Sequence, residues 1–182
     1  RRIATWDGAT RLGVPFRAGS LPAGLKATLN TPWDTPAATD DSANYLNYLR
    51  GDRSNEKTAA ATSRPYRQRL ALLGDIVNAK VTPVAPPSMR YSESINPGYA
   101  TFKTTWATRP TMVYVGANDG MMHAFNGALS GSEAGKEQFA YVPSALFSGP
   151  SDPATPTVNG LAQLGNPDYE HRYYVDATPL AF

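Results

Sequence analysis

The tripeptide Asn118-Asp119-Gly120 constrains this chain more than any other feature, because it stands between two apolar runs. Thr111-Met112-Val113-Tyr114-Val115 precedes it, followed by Gly116-Ala117, and Met121-Met122-His123-Ala124-Phe125 comes after it. Gly supplies the positive φ that a tight turn requires, and Asn or Asp tolerates the neighbouring left-handed geometry. The two runs are therefore expected to pair as an antiparallel hairpin. Phe139-Ala140-Tyr141-Val142 reads as a third strand after the polar stretch 126–135. Tyr173-Tyr174-Val175 reads as a fourth, after a loose Pro/Gly/Ser connection over 148–168. Strands joined in succession by turns make a β-meander, the pattern of a propeller blade.

Size limits what this meander can be. A blade takes roughly 40–50 residues and a propeller roughly four blades or more. In a chain of 182 residues, the strand-rich part at 111–182 provides one complete blade and the start of the next. Residues 1–110 are expected to be a lead-in of loops and short helices. The expected fold class is mainly β, a partial β-propeller with short helices and long loops in its N-terminal third. A lone blade cannot bury both faces of its sheet. The chain is thus expected to be held by an absent remainder, locally rearranged, or oligomeric.

The lead-in has its own signals. Residues 1–63 are rich in Pro, Ala, Thr and Gly, with scattered apolar anchors at Trp6, Val14, Phe16, Leu21, Leu25 and Trp33. One helix is expected here. Asp40 or Asp41 can cap it, Tyr45, Leu46 and Leu49 form its apolar stripe, and Gly51 suits a left-handed stop. The run Leu70-Ala71-Leu72-Leu73-Gly74-Asp75-Ile76-Val77-Asn78 fits a buried strand or a helix end, and period alone does not choose between them. Pro83, Pro86 and Pro87 enforce extended backbone. Tyr99, Phe102 and Trp106 have the spacing of a short amphipathic helix, with their rings expected in a core.

Composition narrows the chemistry. There is no Cys, so disulfides, thiolate nucleophiles and Cys-based zinc sites are excluded, and two His make a multi-histidine metal centre implausible. Seventeen basic and fifteen acidic residues leave a net charge of +2. They are scattered, and the densest basic stretch, Arg64-Pro65-Tyr66-Arg67-Gln68-Arg69, is too short for a nucleic-acid face. No run is long and apolar enough to cross a membrane as a helix. His123, on an apolar strand beside the turn, reads as a satisfied structural histidine, and His171 as a surface residue. No Gly-x-Ser-x-Gly context accompanies either, so no catalytic residue is assigned.

Five segments carry a family resemblance. Val113-Tyr114-Val115-Gly116-Ala117-Asn118-Asp119-Gly120-Met121-Met122-His123-Ala124-Phe125 resembles the signature blade segment of the PilY/PilC family of type IV pilus-associated tip adhesins. Leu72–Asn78, Phe139-Ala140-Tyr141-Val142-Pro143-Ser144-Ala145-Leu146-Phe147, His171-Arg172-Tyr173-Tyr174-Val175-Asp176 and Tyr48-Leu49-Arg50-Gly51-Asp52-Arg53-Ser54 are similar to it as well. The resemblance implies the N-terminal portion of a PilC-type β-propeller over 1–182, with the rest of the propeller missing. It also implies a non-enzymatic module at a bacterial pilus tip or outer membrane, active in pilus biogenesis and attachment. Its partners would be pilins or minor pilins, a host-cell receptor, and the remainder of its own propeller. Further blades would follow in the parent protein, and a secretion signal with a von Willebrand A-like domain would precede it.

Two motifs invite sharper readings. Arg50-Gly51-Asp52 could bind an integrin if Asp52 projected freely from a loop tip. The alternative is a helix stop at Gly51 within a solvated charge cluster. Asn118-Asp119-Gly120 lacks the alternating oxygen ligands of a calcium loop and is read as a structural turn. The calcium that the resemblance implies for the parent would then be held beyond residue 182, and Asp75, Asp119 and Asp176 would serve as hydrogen-bond anchors. The competing class is a fragment of a quinoprotein dehydrogenase that uses pyrroloquinoline quinone and calcium. Quinoprotein-like repeats share the hairpin but not the Arg-Gly-Asp-Arg-Ser or Ala-Tyr-Val-Pro-Ser-Ala-Leu-Phe segments.

Overall fold

The hairpin forms where its turn chemistry requires it. In the computed structural model, which describes residues 1–29, 43–149 and 159–181, the strand at Met112–Ala117 and the strand at Met121–Asn126 pair antiparallel from Met112↔Asn126 to Ala117↔Met121. Six strands make one open sheet. In chain order they are β1 (Ile3–Asp7), β2 (Leu12–Pro15), β3 (Thr82–Val84), β4 (Met112–Ala117), β5 (Met121–Asn126) and β6 (Glu137–Val142), arranged β2-β1-β6-β5-β4-β3. All neighbours are antiparallel except β1 and β6, which run parallel in the register Ile3↔Ala140, Ala4↔Tyr141, Thr5↔Val142.

Three of these strands lie inside the stretch expected to be loops and short helices. The burial of β1 alternates strictly, with Ile3, Thr5 and Asp7 inside, but five residues starting at a charged terminus give a weak period-two signal. It is held between β2 and the parallel β6, the latter a partner more than a hundred residues away. β3 contains Pro83 and sits at the sheet edge, where a residue without an N–H is tolerated.

The core lies on one face of the sheet. Ile3, Met121, Ala140 and Val142 face Phe16, Leu21, Leu29, Phe147, Leu161 and Leu164, together with a helix at Ala43–Leu49. That helix, α2, follows the short α1 (Ala23–Ala27). It buries Tyr45, Leu46 and Leu49, as its spacing predicts, and Tyr48 as well. The capping position expected at Asp40 or Asp41, and Trp33, lie outside the described residues. Tyr45, Tyr48 and Tyr66 form an aromatic cluster with centroids 5.0–5.8 Å apart. The Tyr45 hydroxyl donates to the Leu161 carbonyl (2.6 Å) and accepts from the Gly165 amide (2.9 Å), and the Tyr48 hydroxyl reaches the Leu164 carbonyl (3.1 Å). Buried phenols are thus satisfied by the 3₁₀ turn at Gly160–Gly165.

Four expectations are corrected. The spacing of Tyr99, Phe102 and Trp106 does give a helix, α3 (Tyr99–Thr105), but none of its residues is buried. It sits in the excursion between β3 and β4, where Tyr99 packs on Tyr91 (5.0 Å) and Phe102 (6.0 Å) rather than on the main core. The Glu93 carboxylate ties down its start by accepting from the Gly98 and Ala100 amides. The Leu70–Asn78 run is neither strand nor helix, and Leu72, Ile76 and Val77 stay about half exposed. Its backbone groups bond to the β4–β5 turn instead of a ladder. Tyr173–Val175 is likewise irregular, because the Tyr174 amide donates to the Asn118 side chain. Trp6, read as an anchor, faces out on the sheet's second face.

Candidate functional site

The turn at Asn118–Gly120 gathers two loops distant in sequence. Gly120 has φ +87°, and a Cβ there would lie 2.5 Å from Leu161 Cδ2, so both backbone and packing demand glycine. The Asn118 amide donates to the Asp75 carbonyl (3.0 Å), its side-chain amide to the Asp75 carboxylate (2.9 Å), and its Oδ1 accepts from the Tyr174 amide (2.9 Å). The Asp119 carboxylate accepts from the Gly74 amide (3.2 Å) and the Met121 amide (3.2 Å). Gly74 approaches so closely that a Cβ would lie 2.2 Å from the Asp119 nitrogen. Two loops distant in sequence, around 74–75 and 171–176, are thereby fixed to one hairpin. Asp176 adds a second tie, accepting from the Asn78 amide (3.0 Å) and bonding to the Asn78 side chain. His171 is exposed and meets the Asp75 carboxylate at 2.8 Å.

Beneath the turn lies a charged chain. His123 is 1% exposed. Its Nε2 lies 3.0 Å from Asp119 Oδ1 and its Nδ1 lies 2.8 Å from Glu137 Oε1. Arg1 grips the same Glu137 through Nε (2.6 Å) and a terminal nitrogen (2.7 Å). Burial, the largest single influence, pulls the imidazole pKa down, but the hydrogen bonds and charges of Asp119 and Glu137 overcome it and raise the value to about 9. Burial pushes Glu137 up, and Arg1 and His123 outweigh it, bringing the carboxyl to about 2. At neutral pH the imidazolium is therefore charged, and each of its nitrogens donates to a carboxylate.

A sheet irregularity creates this arrangement. The β5–β6 pairing runs His123↔Ala140 and Ala124↔Phe139, then jumps to Phe125↔Glu137. Simple alternation would put Glu137 on the face of Phe139, away from His123. The bulge turns it onto the face of Ala140. No local sequence signal marks that bulge, so Glu137 and Arg1 could not be read as partners of His123.

Arg50, Gly51 and Asp52 end α2. Gly51 has φ +111°, and its amide donates to the Tyr48 carbonyl (2.9 Å). The Arg50 guanidinium donates to the carbonyls of Phe16 (2.8 Å) and Arg1 (3.1 Å), tying the helix end to β1. Asp52 is exposed, and its carboxylate accepts from the Ser54 amide (2.8 Å). Close by, Glu56 is 2% exposed and pairs with Arg69 (2.6 Å) and Arg53 (3.0 Å). The Arg69 guanidinium also lies over the Tyr48 ring, 3.8 Å from its centroid. The basic stretch at 64–69 thus supplies arginines to internal carboxylates, carbonyls and rings. Among the described residues no three His, Asp or Glu side chains come together as a metal site needs.

The open, mainly antiparallel sheet is consistent with part of a β-propeller. The chain belongs to the PilY1 family: residues 73–181 match the PilY1 beta-propeller domain. It is 40% identical over 144 residues to a type IV pilus biogenesis factor PilY1 homolog of Xylella fastidiosa, covering 77% of this chain and 10% of that protein. It is 34% identical over 184 residues to the type IV pilus biogenesis factor PilY1 of Pseudomonas aeruginosa strain UCBPP-PA14, covering 98% of this chain and 14% of that one. The chain thus spans about a seventh or less of the length of these relatives. No solved structure matches it.

Proposed function

We propose that this chain is a non-enzymatic module of type IV pilus biogenesis, positioned at the pilus tip or bacterial surface, that supports pilus extension and attachment. The carrying observation is the match of residues 73–181 to the PilY1 beta-propeller domain. Those residues include the turn that fixes both distant loops. The chemistry suits a scaffold: buried His123 and Glu56 are each met by opposite charges, and exposed loops on a rigid sheet are where a binding protein carries its contacts.

Partners follow from the same reading. Pilins or minor pilins are the proposed assembly partners, and the remainder of a propeller the proposed cover for exposed apolar side chains such as Trp6 and Phe139, 41% and 38% accessible. We assign Arg50-Gly51-Asp52 a structural role rather than integrin binding, a reading supported by the Ser54 amide on the Asp52 carboxylate. Calcium, implied for the parent, is proposed to be held by ligands beyond residue 182.

The test is genetic. In a piliated host, deletion of the encoding gene should abolish surface pili and twitching, and the wild-type gene should restore both. Restoration should fail with Gly120→Val, which the turn cannot accept. Normal piliation after deletion would end the proposal.

A further inference from the structure

Between β3 and β4 the chain leaves the sheet over residues 85–111 and folds on itself, with no residue of the excursion buried. Its base is closed twice. The Arg109 guanidinium donates to the Ala85 carbonyl (3.2 Å from Nε), and the Gly127 amide donates to the Thr111 carbonyl (2.8 Å). Farther out, the Glu93 carboxylate holds the Gly98 and Ala100 amides at the start of α3, and the rings of Tyr91, Tyr99 and Phe102 pack in succession. These ties give the excursion a set shape before anything binds it, which lowers the ordering cost of docking.

The shape presents apolar rings to solvent. A helix turns 360° in 3.6 residues, so Tyr99, Phe102, Lys103 and Trp106 share about 100° of the circumference of α3. Phe102 and Trp106 are 44% and 49% exposed, and Met89, Tyr91 and Ile95 on the approach are more open still. One exposed hydrophobe is ordinary, but five in one self-supporting stretch form a patch with a use. The patch is also cationic. The excursion holds Arg90, Lys103 and Arg109 against Glu93 alone, while acidic and basic residues are equal in number over the rest of the chain, so the whole net charge of +2 resides here. Glu93 is occupied by the two amides. Among the described residues, neither the Arg90 nor the Lys103 side chain has a hydrogen-bond or ion-pair partner.

We propose that this excursion docks on an anionic lipid bilayer, with the aromatic face of α3 in the interface and Arg90 and Lys103 on the headgroups. Trp and Tyr rings combine an apolar body with a polar edge, which suits the boundary between acyl chains and water. The long stems of Lys103 and Arg90 let their charges reach headgroups while the neighbouring rings go deeper. A bilayer asks for no register or matching groove, only an apolar face flanked by cations. The inference goes beyond the pilus reading and does not depend on it.

The chain has no Cys, so Ile95→Cys, at a position 79% exposed, can carry an environment-sensitive dye in the full chain. Vesicles of phosphatidylglycerol mixed with phosphatidylcholine should bind saturably, shift the dye emission to the blue, and bind more weakly as salt rises. Dye on Leu12→Cys, at the opposite end of the sheet, should not shift. Affinity should fall at least about tenfold in Phe102→Ser, Trp106→Ser and in Arg90→Glu, Lys103→Glu, with the thermal midpoint unchanged. The charge pair keeps the test decisive should the serine pair lower that midpoint. Absent binding, equal binding by pure phosphatidylcholine vesicles, undiminished binding by the charge pair, or an equal shift at position 12 would each overturn the proposal. So would a photo-crosslinker at position 102 that, in cells, joins only to polypeptides.

Discussion

Replacing His123 with Gln removes the one charge that joins Asp119 to Glu137, and the cost can be worked from the imidazole itself. Its pKa rises from 6.5 to about 9 on folding. At about 1.4 kcal/mol per unit, that ties about 3 kcal/mol of stability to the protonated ring. The folded value is the raised one, so this stability is fully present below about pH 6.5. It declines as pH rises and is gone above about pH 9. Glu137 acts at the other end: its folded value of about 2 lies below the usual 4.5, so its contribution holds above about pH 4.5 and fades as pH falls toward 2. Urea unfolding of the wild type should therefore show a plateau between about pH 4.5 and 6.5, then lose about 3 kcal/mol by about pH 9. His123→Gln should start about 3 kcal/mol lower and lack the alkaline decline. The chain has two histidines, so proton NMR can follow His123 directly. A wild-type stability that is flat from pH 6.5 to 9, or an imidazole that titrates below pH 7, would refute the reasoning.

Three further predictions follow from packing. Gly120→Ala should cost about 2 kcal/mol or more in urea unfolding, because it adds strain at φ +87° to a Cβ contact of 2.5 Å with Leu161. Glu56→Gln should cost about 3 kcal/mol, since it leaves Arg69, 11% exposed, without its buried carboxylate. Phe102→Ser should change stability by no more than about 0.5 kcal/mol, because its ring is 44% exposed on a helix with no buried residue. A large loss there would mean that α3 belongs to the core.

What the sequence showed depended on how local the cause was. The β4–β5 hairpin was legible because Asn118-Asp119-Gly120 carries its turn chemistry within three residues. The same holds for α2, whose stripe of Tyr45, Leu46 and Leu49 and stop at Gly51 lie within two turns. The strands β1, β2 and β3 were not legible. They are short, and β1 owes its place to a parallel partner far along the chain. The apolar run at 70–78 misled because hydrophobicity predicts burial, while its polar backbone groups are claimed by the Asn118 backbone amide and the Asp119 side chain. Aromatics at helical spacing gave α3 its helix but not its location. His123 was recognised as a satisfied residue, but its partner Glu137 depends on a bulge with no sequence mark.

One glycine turn holds together loops distant in sequence, and native-state hydrogen exchange reads this most directly at the amides of Gly74, Asn118 and Tyr174. These amides bond to Asp119, Asp75 and Asn118 respectively. All three should be protected, and Asn118→Ala should speed exchange at Tyr174 while Asp119→Ala speeds it at Gly74. Unprotected amides in the wild type, or protection indifferent to both substitutions, would contradict the account.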